Sequence, residues 1–156
     1  MADYDLKSHT SSAVMLARAI LTATPAVTAI DLLDYGSATL LMYVGAGGIT
    51  FSTTNKIEFI VYESDDNSIF TAVPDDGLIL NPGATAPGGT GIARAIIAAH
   101  ASADTTIESV GYRGKKRYLK CIPTFGGTHG TGTIVGVDLI RGHPAHKPVG
   151  ASSIEV

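Results

Sequence analysis

The chain has 156 residues, a length that fits one domain with its own hydrophobic core. Only 16% of its residues are charged and its formal net charge is −3, which argues against a basic domain that binds nucleic acid. Its single cysteine, Cys121, excludes an intramolecular disulfide and a cysteine-ligated metal cluster, and the apolar neighbours of Cys121 predict a small buried side chain.

Residues 1–29 are predicted to form an extended N-terminal arm. They begin with the acidic residues Asp3 and Asp5, where a secretory signal peptide would be basic. The segment 15–21 is apolar and could form a short helix, which Pro25 would end. Because no neighbouring element is evident for this segment, we expect it to contact another protein chain. The predicted contact residues are Met15, Leu16, Ile20 and Leu21.

The middle of the chain is predicted to form strands separated by turns. Residues 38–44 (ATLLMYV) are apolar at successive positions, which is typical of a strand buried on both faces. Residues 57–63 (IEFIVYE) are dense in β-branched and aromatic side chains, and residues 69–73 form a shorter strand. Asp65 and Asp66 mark the turn between these two strands, where carboxylates are expected to bond turn amides rather than calcium.

The longest uncharged run, residues 35–55, raises the question of a membrane span, which needs about 20 apolar residues. Glycines and hydroxyl side chains interrupt this run, so it predicts two strands and a glycine turn. We therefore expect no association with a membrane.

The last part of the chain is predicted to return to strands after a loop. The loop is residues 81–91 (NPGATAPGGTG), which are rich in glycine and proline. Residues 92–100 (IARAIIAAH) fit either a short helix or a strand. Further strands are predicted at residues 105–110, 117–122 and 133–141, the last of which alternates apolar and other side chains.

The predicted fold is all-β: an antiparallel β-sandwich or jelly roll with an extended N-terminal arm. Many short strands, separated by glycine and proline turns, are typical of this class. The sandwich would cover residues 30–149, and residues 150–156 would form a C-terminal tail. The low charge has two interpretations that composition does not separate, a large core or a surface partly covered by another chain.

No motif in the sequence predicts a catalytic, cofactor-binding or metal site. Gly89 and Gly91 resemble the start of a dinucleotide-binding loop, but Arg94 occupies the position where that loop needs a third small residue. No nucleophile and base form a catalytic motif, so we expect the protein not to be an enzyme. Three histidines are predicted to lie on the surface or at an interface rather than to bind zinc: His129, His143 and His146.

Residues 113–120 (RGKKRYLK) hold five of the eleven basic residues of the chain. Gly111 and Gly114 predict that this cluster begins in a hairpin turn and then enters a strand. Its charge fits electrostatic docking to a protein partner, a solvated turn or a nucleic-acid contact, and we expect the first, with no nucleic acid bound. The predicted interface residues are Arg113, Lys115, Lys116, Arg117 and Tyr118.

Three stretches resemble a family of small decoration (cement) proteins from the heads of tailed phages. The first stretch is residues 30–40 (IDLLDYGSATL). The second comprises residues 57–66 (IEFIVYESDD) and 70–73 (FTAV). The third comprises residues 110–118 (VGYRGKKRY), 127–132 (GTHGTG) and 142–144 (GHP).

The resemblance implies a jelly roll that decorates and stabilises an icosahedral head by binding the outside of an HK97-type coat shell. It implies a homo-oligomer, dimer or trimer, on the outer surface of the head in the virion and in the host cytoplasm during assembly. It supplies no catalytic residue, cofactor or ligand set. Two alternatives stay open: a tail- or fibre-associated structural protein, and a carbohydrate-binding jelly-roll module, which the absence of tryptophan disfavours.

Overall fold

The computed structural model of the chain describes residues 6–46, 50–80, 88–98 and 106–145. Its strands in chain order are β1 (Thr10–Leu21), β2 (Ile30–Asp31), β3 (Tyr35–Val44), β4 (Lys56–Ser64), β5 (Thr71–Ala72), β6 (Leu78–Ile79), β7 (Ile92–Ile96), β8 (Thr106–Tyr112), β9 (Tyr118–Gly126) and β10 (Thr133–Pro144). A short 3₁₀ helix, Asp75–Gly77, precedes β6. The predicted C-terminal tail and most of the 81–91 loop lie outside the described residues.

The strands form two antiparallel sheets whose inner faces share one hydrophobic core. Sheet A has the order β1-β10-β3-β8-β6. Sheet B has the order β2-β9-β4-β5, and β7 also pairs with β4. Because β9 runs along one whole edge of β4, the short strands β5 and β7 share the other edge. These sheets confirm the predicted all-β antiparallel sandwich.

The pairings are nested along the chain. β1 pairs with β10, β2 with β9, β3 with β8, and β4 with β7, so the first half of the chain pairs with the second half in reverse order. Most successive long strands lie in opposite sheets, so the loops between them cross from one sheet to the other at the ends of the sandwich.

Alternating burial along β3 places one of its faces in the core, because successive side chains of a strand point to opposite faces. Its inward side chains are buried: Ala38, Leu40, Met42 and Val44. Leu41 and Tyr43 point outward and are only partly buried. The prediction that residues 38–44 are buried on both faces is therefore wrong within the single chain. The second face of β3 is apolar at Leu41 and Tyr43 and carries hydroxyl side chains at Ser37 and Thr39, and no strand of the described residues packs on it.

Most other strand predictions are close to the observed elements. Residues 57–63 lie within β4 and residues 133–141 lie within β10. The strands predicted at 105–110 and 117–122 correspond to β8 and β9, which extend further than expected. Only two residues of the predicted strand 69–73 are extended, because the preceding turn continues to Ile69, whose amide bonds the Asp66 carboxylate at 2.9 Å.

Residues 92–96 form strand β7 rather than a helix. β7 pairs with β4 in register from Ile57 with Ile96 to Ile60 with Ile92, with one bulge between Phe59 and Ile60. The buried Arg94 guanidinium reaches across to sheet A and donates to the Met42 carbonyl at 3.0 Å. Pairing with a buried strand thus outweighs the helix preference of the alanines, which is a weak local effect.

The predicted N-terminal arm is not confirmed. Residues 10–21 are the edge strand β1 of sheet A, paired with β10 from Thr10 with Gly142 to Leu21 with Thr133. The expectation that the apolar segment 15–21 has no neighbouring element is wrong, because its partner strand lies about 120 residues later in the chain. Met15 is buried in the core, so this segment stabilises its own sandwich.

Candidate interaction surface

One end of the sandwich carries a cleft of about 630 Å³, which we call the end cleft. The turn between β2 and β3 forms one wall and the loop between β8 and β9, residues 113–117, forms the other. Asp65 and Ile79 contribute from the β4–β5 turn and from β6. The prediction that the basic cluster begins in a hairpin turn is wrong. The loop 113–117 connects β8 and β9, which lie in different sheets and do not pair.

The β2–β3 wall is shaped by a tight turn after Asp31. The Asp31 carboxylate accepts a hydrogen bond from the Leu33 amide at 2.9 Å, and the Tyr35 amide donates to the Leu32 carbonyl at 3.0 Å. Asp34 has a φ of 69°, a left-handed conformation that aspartate tolerates better than most residues. The turn leaves the Leu33 side chain exposed at the rim of the cleft.

Tyr112, the last residue of β8, anchors the opposite wall. Its hydroxyl donates to the Glu63 carboxylate at 2.6 Å and accepts from the Lys116 amide at 3.1 Å. Gly114 lies so close to the Tyr112 ring that a Cβ there would come within 2.4 Å of it, so the loop needs glycine at this position. Burial and the Glu63 carboxylate raise the pKa of Tyr112, which keeps the phenol protonated.

Two of the four cations of the 113–117 loop are neutralised within the chain. The Arg117 guanidinium binds Asp31 through two hydrogen bonds of 2.9 and 2.7 Å, and the Lys116 ammonium bonds Asp65. The hydrogen bond from Arg117 lowers the pKa of the Asp31 carboxyl. Arg113 and Lys115 are exposed and form no ion pair among the described residues. The charge available to a partner is therefore smaller than the sequence predicts.

Tyr118 is the last of the interface residues predicted in the segment 113–120. It lies beyond the cleft, on the outer face of sheet B. The Arg117 guanidinium stacks over the Tyr118 ring at 5.0 Å, and Lys120 lies over the Phe70 ring at 3.7 Å. These cations cover aromatic rings that would otherwise face solvent. The outer face of sheet B is thus rich in both charge and aromatic side chains.

The structure does not bring the predicted apolar contact residues together with the basic loop. Met15 is buried within the chain and is not accessible to a partner, whereas Leu16 and Leu21 are partly buried against the core. Ile20 is 67% exposed and remains available. It pairs with Ile134 at the start of β10, whereas the end cleft lies at the other end of that strand.

The other candidate side chains have structural roles. His129 is buried, its Nε2 donates to the Gly126 carbonyl at 2.7 Å, and its ring meets Phe125 edge-on, so the predicted surface position is wrong for this residue. His143 bonds Ser37, while His146 lies outside the described residues. Asp66 accepts turn amides as predicted, and Cys121 is buried, which raises the pKa of its thiol.

Sequence reasoning missed the acidic partners of the basic loop and the exposed Ile79 at the cleft rim. No local pattern marks them, because Asp31 is 86 residues from Arg117 and Asp65 is 51 residues from Lys116. Among the described residues, no group of three or more histidine, cysteine, aspartate or glutamate side chains could hold a metal ion. In that same part of the chain, no helix has the length and apolarity needed to cross a membrane.

A comparison with protein-family models found no match for this chain. Comparisons with curated proteins and with solved structures also found no match.

Proposed function

We propose that this protein is a structural component of a tailed-phage head, which decorates and stabilises the head by binding the outside of an HK97-type coat shell. The observation that carries the proposal is the convergence of the three stretches with family resemblance. Residues 32–38 of the first stretch, Asp65 of the second and residues 112–117 of the third line the end cleft together. Residues far apart in the chain that share a resemblance and meet at one surface fit a common binding role.

A jelly roll is part of the proposal, and the nested pairing supports it. A jelly roll forms when a long antiparallel ribbon winds into two packed sheets with Greek-key connections. The pairings β1–β10, β2–β9, β3–β8 and β4–β7 are those of such a ribbon. The additional pairings β3–β10 and β4–β9 join different parts of the wound ribbon within one sheet. β5 and β6 are short additions between the two halves.

The end cleft has the properties of a docking surface for a large rigid partner. Hydrogen bonds from Tyr112 and the ion pairs of Lys116 and Arg117 hold its basic wall in one conformation, so less entropy is lost on binding. Arg113 and Lys115 project their charge, and Leu33 and Ile79 offer apolar contacts at the rim. Contacts repeated at equivalent sites of a shell can stabilise it even when each one is weak.

Neither catalysis nor a bound cofactor is part of the proposed function. A carbohydrate-binding role is less well supported, because Arg117 and Lys120 cover Tyr118 and Phe70 on the outer face of sheet B, where a sugar would stack. A tail- or fibre-associated role would use the same docking surface with a different partner.

The test measures binding of the purified protein to undecorated phage heads by cosedimentation. We expect saturable binding that weakens as salt increases, because Arg113 and Lys115 are exposed. Lys115→Glu should lower occupancy strongly at low salt. Lys7→Glu is the matched control, since it makes the same charge change at an exposed residue away from the cleft.

Undiminished occupancy for Lys115→Glu at both low and high salt would place the contact surface elsewhere on the protein. Binding to purified tails and not to heads would contradict the head role and support a tail-associated structural role. No binding to either particle would contradict a structural role in the virion.

A further inference from the structure

We infer that the outer face of sheet A is a self-association surface that docks a second copy of this chain. The first observation is its composition. Val14, Leu41, Tyr43 and Ile107 belong to rows of paired residues that alternate with the buried rows, so they share the outer face. Ile20, Ile79, Ile134 and Ile140 occupy outward positions in neighbouring rows.

The second observation is the low charge of this face. Among its described residues, the charged side chains are Arg18 and Asp138, which pair with each other at 3.4 Å. The Arg18 guanidinium also lies over the Tyr43 ring at 4.6 Å. With no net charge, the face does not select a basic or an acidic partner. Two copies related by a two-fold axis present the same face to each other without like-charge repulsion.

The third observation is that glycines at outward positions let neighbouring side chains lie flat on the sheet. Gly45, Gly111 and Gly136 occupy outward positions, and neighbouring side chains lie over them. A Cβ at these positions would meet Ile134 at 2.9 Å, Ile79 at 3.2 Å and Arg18 at 2.5 Å. The aliphatic side chains therefore lie across the sheet surface. The face is mostly aliphatic, and its outward polar residues Thr39 and Ser109 are small. An even face of this kind suits face-to-face packing with another sheet, which occurs at about 10 Å separation.

The sequence of β3 agrees with a covered second face. Its run of apolar residues is the pattern of a strand buried on both sides, yet the single chain buries only one of them. Val14 and Ile107, on opposite sides of β3, are 60% and 58% exposed. A second copy over this face would complete the burial that the pattern of β3 indicates.

The size of the face is sufficient for a specific dimer. Four full-length strands at about 4.8 Å spacing and about 30 Å of strand length present roughly 600 Å² per copy. Two copies would bury roughly 1,200 Å², which is at the lower end of specific interfaces. The inference is independent of the proposed function, since it depends on the face itself and not on a phage partner.

The test is sedimentation equilibrium of the full chain over a wide range of concentration. We expect a monomer–dimer equilibrium. Ile107→Lys, which places a charge on the face, should raise the dissociation constant at least about tenfold. Ile69→Lys is the matched control, because Ile69 is 73% exposed but lies in the β4–β5 turn, and it should leave the dissociation constant unchanged. Val14→Lys, at the other edge of the face, should act like Ile107→Lys.

Circular dichroism verifies that each variant keeps the fold of the wild type, and the two independent lysine variants keep the test decisive if one of them does not fold. A monomer at every concentration, a stoichiometry other than two, or a dimer that Ile107→Lys and Val14→Lys leave intact overturns the inference. Binding of the monomer to phosphatidylcholine vesicles in place of self-association overturns it as well. A dimer that fails to bind phage heads supports this inference while contradicting the proposed function.

Discussion

The outer faces of the two sheets are built from different chemistry. The outer face of sheet A is mostly aliphatic and, among the described residues, carries one ion pair, Arg18 with Asp138. The outer face of sheet B carries the Lys56–Glu58 pair at 2.7 Å and the stacked cations Arg117 and Lys120. Two sheets that share one hydrophobic core thus offer different outer surfaces to their surroundings.

This difference shows that burial in a single chain does not explain the whole hydrophobic pattern. The outward residues of sheet B are mostly charged or aromatic, with the aliphatic pair Ile60 and Ile122 between them. Those of sheet A differ, because Leu41 and Tyr43 continue the apolar run of β3 on its outer side. The mostly apolar outer face of sheet A and the charged end cleft are therefore chemically different surfaces that meet at Ile79.

The largest expected effect compares adjacent leucines of β3. Leu40 is fully buried, so Leu40→Ala should reduce the free energy of unfolding by about 2–5 kcal/mol. Leu41 points outward, so Leu41→Ala should reduce it by about 1 kcal/mol or less in dilute solution. Urea denaturation followed by circular dichroism measures both values.

The same two variants should respond differently to protein concentration. If a second copy covers sheet A, the cost of Leu41→Ala should grow with concentration, because association stabilises the folded state. The cost of Leu40→Ala should change less. Equal costs at the lowest concentration would mean that the two faces of β3 are equally buried in the single chain, contrary to the observed alternation.

A smaller effect compares a tyrosine that anchors the end cleft, Tyr112, with one on the outer face of sheet A, Tyr43. The Tyr112 hydroxyl bonds both Glu63 and the Lys116 amide, so Tyr112→Phe should lower the free energy of unfolding by about 1–2 kcal/mol. The Tyr43 hydroxyl on sheet A makes no hydrogen bond to the described residues, so Tyr43→Phe should change it by no more than about 0.5 kcal/mol. Thermal unfolding at matched concentration measures the difference, and equal shifts for the two variants would contradict the anchoring role of Tyr112.

The long strands could be predicted from sequence because their alternation is regular. In β4, Ile57, Phe59 and Val61 repeat at every second residue and are fully buried. β1 was missed because its pairing with β10 shifts register twice between Val14 and Ala19, which breaks the alternation. An edge strand with register shifts does not show the two-residue periodicity from which a strand is predicted.

The basic cluster illustrates a second limit of the sequence. Its residues were identified, but their charge was overestimated, since Asp31 and Asp65 reach them only through the fold. The hairpin prediction failed for a related reason. Gly114 fits a turn locally, but only the nested pairing determines that the chain crosses to the other sheet at this point.

The smallest expected effect concerns pH and the turn after β4. Hydrogen bonds from the Ile69 and Ser68 amides lower the pKa of Asp66 from 3.8 to about 2. A carboxyl group with a lowered pKa in the folded state stabilises the protein above its unfolded pKa, and this contribution is lost as pH falls through the folded value. We therefore expect the part of the stability due to Asp66 to be present above about pH 4 and to disappear towards about pH 2.

Asp66→Asn removes this titration, so the variant should lose less stability than the wild type between about pH 5 and about pH 2. Asp76→Asn is the matched control, because Asp76 is exposed in the 3₁₀ helix and its side chain bonds none of the described residues. Urea midpoints across this range measure both variants. Asp31, whose pKa is also lowered, adds a dependence of the same sign that both variants retain. If Asp66→Asn keeps the full pH dependence of the wild type, the turn amides do not stabilise the Asp66 carboxylate in solution. The acid dependence of stability would then come, among the described carboxyl groups with a lowered pKa, from Asp31 in its ion pair with Arg117.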